Sequence, residues 1–130
     1  MSNPYVRPVA GTPDAVGKRL EAAVKAHKFG VLNVIDLQAK MKEKGVEFGH
    51  ACRIFEICNP QQAKQMLEMS MGVAALLPCR VAVYDEGGQT KVATFQPTQL
   101  IGLLGNPELT VAAQAVEREI TAIIDETVAP

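Results

Sequence analysis

Cys58 is the residue of this chain best placed to do chemistry. It stands directly before Asn59-Pro60, a cap-then-proline pair that opens a helix. The sulfur is therefore predicted at a corner where a strand meets a helix. Unpaired amide donors and the positive end of the helix dipole gather there, and both favour the thiolate, the reactive form of cysteine. Cys79 follows Pro78 and precedes Arg80, at the start of another predicted strand. Strand alternation sends Arg80 to the opposite sheet face. If the strand ending at Cys58 and the strand beginning at Cys79 are neighbours, the two sulfurs approach. The chemistry would then be sulfur transfer, persulfide carriage or a redox response, with Cys58 as nucleophile and Cys79 as its partner. The competing reading is that both are small apolar residues packed in a core.

Other reactive side chains are less well placed. Cys52 and Cys58 share strand parity but lie six residues apart, roughly 20 Å in an extended strand and beyond the reach of a disulfide. No Cys-x-x-Cys spacing is present. His50 and Cys52 fall on one strand face, which makes two ligands. His27 and Cys79 would have to complete a metal site, so neither metal nor cofactor is expected. Asp36 follows the first predicted core strand, where it suits a helix cap or, with Glu56, acid–base work. Glu56 shares a face with Cys52 and Cys58. Asp36, Glu56, Asn59 and Arg80 are the candidate binding residues. No Gly-x-Ser-x-Gly, Walker-type or His-Glu-x-x-His pattern occurs.

These residues are positioned by short alternating elements. The first twelve residues, with Pro4, Pro8 and Gly11, read as an extended arm with an edge strand at Tyr5–Val9. Thr12 caps a helix that Pro13 opens. Val16, Leu20, Ala23 and Val24 recur at helical spacing, His27 continues the stripe, and Gly30 is the expected stop. Residues 31–35 are β-branched and read as a strand. Asp36 caps a helix over Leu37–Lys44, ended by Gly45, and a strand follows at His50–Ile57. The helix after Asn59 turns Ala63, Met66, Leu67 and Ser70 inward. Gly72–Leu77 reads equally as loop or strand. Cys79–Tyr84 and Lys91–Phe95 form a hairpin around Gly87-Gly88. Pro97 ends the hairpin, and Thr98 caps a short helix over Leu100–Leu104 that Gly105 stops. After Asn106-Pro107, Leu109, Ala112, Val116, Ile120 and Ile123 share one face of a final helix. Gln114, Glu117, Arg118 and Glu126 take its outer face. The fold class is α+β: a single mixed or antiparallel sheet of about four strands, helices on one face, and a C-terminal amphipathic helix.

Composition narrows the function classes. A chain of 130 residues with 48% hydrophobic and 21% charged side chains suits one folded domain, read as an arm over 1–12 and an α+β domain over 13–130. Thirteen basic residues against fourteen acidic ones give a formal charge of −1, no global attraction for nucleic acid or an anionic membrane. With no Trp, 2 Tyr and 4 Phe, base-stacking platforms are not expected either. The longest apolar run, Met71–Leu77, is far short of the roughly 20 residues that span a bilayer. The first residues do not read as a secretory signal. Three cysteines cannot all pair within one chain, and a cytoplasmic location is the expectation. Met66, Met69 and Met71 are suited to an adaptable binding surface.

Three blocks together carry a resemblance: Phe29 to Gln38, Cys58-Asn59-Pro60, and Leu76 to Tyr84. With their spacing they resemble the bacterial and archaeal family known as domain of unknown function 302, over roughly residues 13 to 97. The resemblance implies a small α+β fold and a homodimer, and no assigned reaction. Cys58, Asn59, Pro60, Pro78 and Cys79 match the family's two cysteine-bearing motifs, and Asp36 its acidic position after a strand. Cys52 falls where the family more often has a residue without a thiol. The expected function is thiol-based sulfur or redox handling at Cys58 and Cys79. The alternative is a non-catalytic ligand-binding or dimeric interaction module with structural cysteines.

Overall fold

In the computed structural model, which describes residues 4–129, the chain forms five strands and five α-helices. Thr12 Oγ1 accepts from Ala15 N at 3.2 Å and starts α1 (Pro13–Ala26). The helix ends at His27 rather than running on to Gly30. The left-handed step falls on Lys28, at φ 63°, and Gly30 is instead the first residue of β2 (Gly30–Asp36). Asp36 caps α2 (Leu37–Glu43). β3 (Cys52–Cys58) begins two residues later than His50 because Asp85 holds the preceding loop. Asp85 accepts from Ala51 N and contacts His50 Nδ1, each at 3.0 Å.

Asn59 caps α3 (Pro60–Met69). The ambiguous segment after it is a 3-10 turn over Met71–Ala75, not a strand. β4 (Cys79–Glu86) and β5 (Gln89–Thr94) form the hairpin, and β1 (Tyr5–Val9) lies beside β5. Pro97 is the first residue of α4 (Pro97–Gly102). Gln96, not Thr98, occupies its N-cap. Glu117, expected on an outer face, instead accepts from Thr98 N at 3.1 Å and Thr98 Oγ1 at 2.7 Å. That carboxylate, reaching from α5 (Pro107–Val128), satisfies donors that a side-chain cap would otherwise take.

The sheet runs β1-β5-β4-β3-β2, and every pairing is antiparallel. The helices cover one face. Phe55 and Ile57 of β3, Val81 and Val83 of β4, and Val92 of β5 are buried there. They join a core with Leu20 and Val24 of α1 and Leu109, Val116 and Ile120 of α5. Ala113, rather than Ala112, is the fully buried alanine of α5. Gly17 lets α1 lie close to the sheet: a Cβ there would stand 3.0 Å from Phe55 Cζ. Among the described residues, no helix is long and apolar enough to cross a membrane.

Candidate functional site

An antiparallel sheet packed on one side usually presents polar side chains on the other. Here the face without helices carries an apolar row across all five strands. Val6 faces Ala93, Ala93 faces Ala82, Ala82 faces Ile54, and Ile54 faces Ile35. The two central residues are alanines, while Tyr84 and Lys91 pair in the row on one side and Arg80 and Glu56 in the row on the other. Small residues between long ones leave a trough. It opens into a cavity of about 480 Å3, within the usual range for small-molecule sites. Ile54, Ala82 and Ala93 line it with Tyr84 and Phe95, the Leu76–Pro78 segment, Leu100 and Ile101 of α4, and the buried Met66 of α3 and Val116 of α5.

Arg80 is the one charged residue among those lining the cavity. Its Nε donates to Glu56 Oε2 at 3.2 Å, and Glu56 Oε1 accepts from Asn33 Nδ2 at 3.3 Å. The Glu56 side chain is 14% exposed and that of Arg80 66%. Both carboxylate oxygens are thus engaged, while the two terminal guanidinium nitrogens meet no partner among the described residues. Thr94 Oγ1 donates to the Arg80 carbonyl at 2.7 Å, which anchors the backbone beneath this side chain. As strand alternation predicted, Arg80 leaves Cys79 on the opposite face.

The strands bearing Cys58 and Cys79 are neighbours: Ile57 faces Cys79 in the β3–β4 register. Both cysteines line a second, much smaller cavity of about 10 Å3, room for about one water. Cys79 also borders the large one. The expected depression of the Cys58 pKa does not occur. Burial pushes its thiol up, and pushes Cys79 up to about 11, with Cys58 nearby adding to the effect. The cause is local. Pro60 has no N–H, Gln62 N donates to Asn59 Oδ1 at 3.1 Å, and Ala63 N donates to Asn59 O. The donors expected to hold a thiolate are largely spent on Asn59. Cys52 is also raised, by burial first and Asp36 second.

The remaining candidates lie apart from the cavity. Asp36 Oδ1 accepts from Ala39 N at 2.9 Å and Oδ2 lies 3.8 Å from Arg53 Nε; it is a helix cap. Glu56 takes Arg80 and Asn33 as partners, so the Asp36–Glu56 acid–base pair is not assembled. Asn59 caps α3 beside the small cavity. His27 sits between Glu119 and Glu126, and His50 contacts Asp85. Among the described residues, no group of three or more His, Cys, Asp or Glu could hold a metal ion. Sequence reasoning missed Ala82, Ala93, Tyr84 and Phe95. Their signal was a strand pair apolar in both parities, Val81 and Val83 on one face and Ala82 with Ala93 on the other.

The sheet order, one-sided helices and cavity define a small single-sheet α+β protein with an apolar site on its open face. The chain belongs to the family described as domain of unknown function DUF302, whose model matches residues 5–127. That match extends the resemblance at both ends, through β1 and most of α5. A solved structure of the same kind is the uncharacterized conserved protein DUF302 from Bacillus stearothermophilus. It is 34% identical, with a TM-score of 0.94 over 98% of this chain and 99% of that one. No curated protein matches the chain.

Proposed function

We propose that this protein is a binding module for a small apolar molecule, held in the trough over Ala82 and Ala93, with its cysteines in packing roles. The carrying observation is the cavity of about 480 Å3, lined by Ile54, Ala82 and Ala93 of the open sheet face and by the buried Met66, Ile101 and Val116 of the helices. The raised thiols support the packing role: a buried neutral cysteine is a small hydrophobe. The test is calorimetric titration with octanol of the native protein and of Ala82→Leu. Saturable binding that the variant weakens about tenfold or more agrees with overpacking of the trough. No saturable binding to the native protein would overturn the reading.

A second reading is thiol chemistry, with Cys58 as nucleophile and Cys79 as partner. It is favoured by the strand pairing that brings both to one small cavity, and disfavoured by the raised thiols. Fast alkylation of native Cys58 below about pH 7, well under the ordinary thiol range, would restore it. We also propose a homodimer. The exposed Val6 and Phe95 beside the trough support the open face as its contact. Sedimentation equilibrium that returns the monomer mass at all concentrations would remove that proposal.

A further inference from the structure

We infer that the cavity's ligand is an amphipathic carboxylate, its apolar chain in the trough and its head at Arg80. This rests on the binding reading above and adds the chemical class of the ligand. The lining is asymmetric in charge. Arg80 reaches the cavity, whereas Glu56, its partner, is not among the lining residues and has each oxygen engaged, one by Arg80 Nε and one by Asn33.

Glu56 therefore acts as a positioning residue. It occupies Nε and leaves the two terminal nitrogens, two parallel sets of donors in a plane, without a protein partner on a side chain that is 66% exposed and lines the cavity. Such a fork matches the two oxygens of a carboxylate. A cationic head would find no free carboxylate in the lining, and a neutral head would leave the fork unused. The walls beyond Arg80 are Leu76, Leu77, Phe95 and Leu100, which suit a hydrocarbon chain. Tyr84 contributes a phenol on the far side of the alanine row.

Octanoate, octanol and octylamine share one chain and differ in the head, so calorimetric titration of each separates chain from head. The expected result is that octanoate binds about tenfold tighter than octanol, as charge-assisted hydrogen bonds imply. In Arg80→Gln that ratio should fall to one or below, since the Glu56 carboxylate loses its cation beside the head, and Arg80→Lys should keep only part of it. Arg80 is exposed, and the urea midpoint of each variant, measured beside the titrations, checks that the fold is kept. Equal binding of octanoate and octanol, tightest binding of octylamine, or a ratio indifferent to Arg80→Gln would overturn the head-group inference and leave the cavity reading standing. No saturable binding of any of the three would overturn both.

Discussion

The two faces of the sheet use the same strands for different ends. On the covered face, Phe55, Val81, Val83 and Val92 are buried against α1 and α5, and each fills space that a helix brings to it. On the open face, Ala82 and Ala93 lie side by side in register and leave space unfilled. Both faces are apolar, yet only one is packed. A packed face holds the fold together through close contact. An apolar face left concave contributes little to the fold and marks an interaction site. Cys79 stands near the border between these regimes, its sulfur in a buried environment and its residue bordering the cavity.

The sharpest way to break this contrast is to truncate one residue on each face. Phe55→Ala should cost about 3–5 kcal/mol in urea unfolding. Ile54→Ala, the next residue and half-exposed, should cost about 1 kcal/mol. Equal costs would mean that the open face is part of the core.

Thiol reactivity comes next. With Cys79 raised from 9.0 to about 11, its alkylation at neutral pH should be about a hundredfold slower than for an ordinary thiol. The rate should climb until about pH 11. Because the folded pKa is the higher one, the neutral thiol stabilises the fold below the ordinary value. That contribution is lost as the pH rises from 9.0 toward 11. Rapid labelling of native Cys79 at neutral pH would show that its thiol is not shielded.

The smallest effect concerns the loop before β3. The Ala51 N–H, and after it His50, hold the Asp85 carboxyl below its usual range. A depressed carboxyl contributes stability above its unfolded pKa and loses it as the pH falls through the folded value. Asp85→Asn should therefore lower the urea midpoint slightly at neutral pH and flatten its decline between about pH 5 and 2. An unchanged acid profile would show that the loop is held otherwise.

Much of the fold was legible because its signals are local. Thr12-Pro13, Asn59-Pro60 and Asn106-Pro107 each open a helix where expected, and Gly87-Gly88 turns the hairpin. Boundaries that depend on distant groups were not legible. Lys28 takes a conformation that glycine was expected to supply, and Glu117 crosses from α5 to cap α4. The site followed the same division. Cys58 and Cys79 stood out by type and were brought together by register. Their raised pKa values come from burial, which residue types do not reveal. The trough was hidden for a further reason: alanine carries no chemical signal. Its meaning here comes from pairing Ala82 with Ala93 across a hairpin and flanking both with long side chains.

The most direct test follows the backbone amide resonances of the protein during titration with octanol, whose neutral head makes the outcome independent of Arg80. Binding in the trough predicts saturable shifts clustered at Ala82, Ala93, Phe95 and Leu100, with residues of α1 unmoved. Absence of saturable shifts, or shifts clustered on α1, would contradict it.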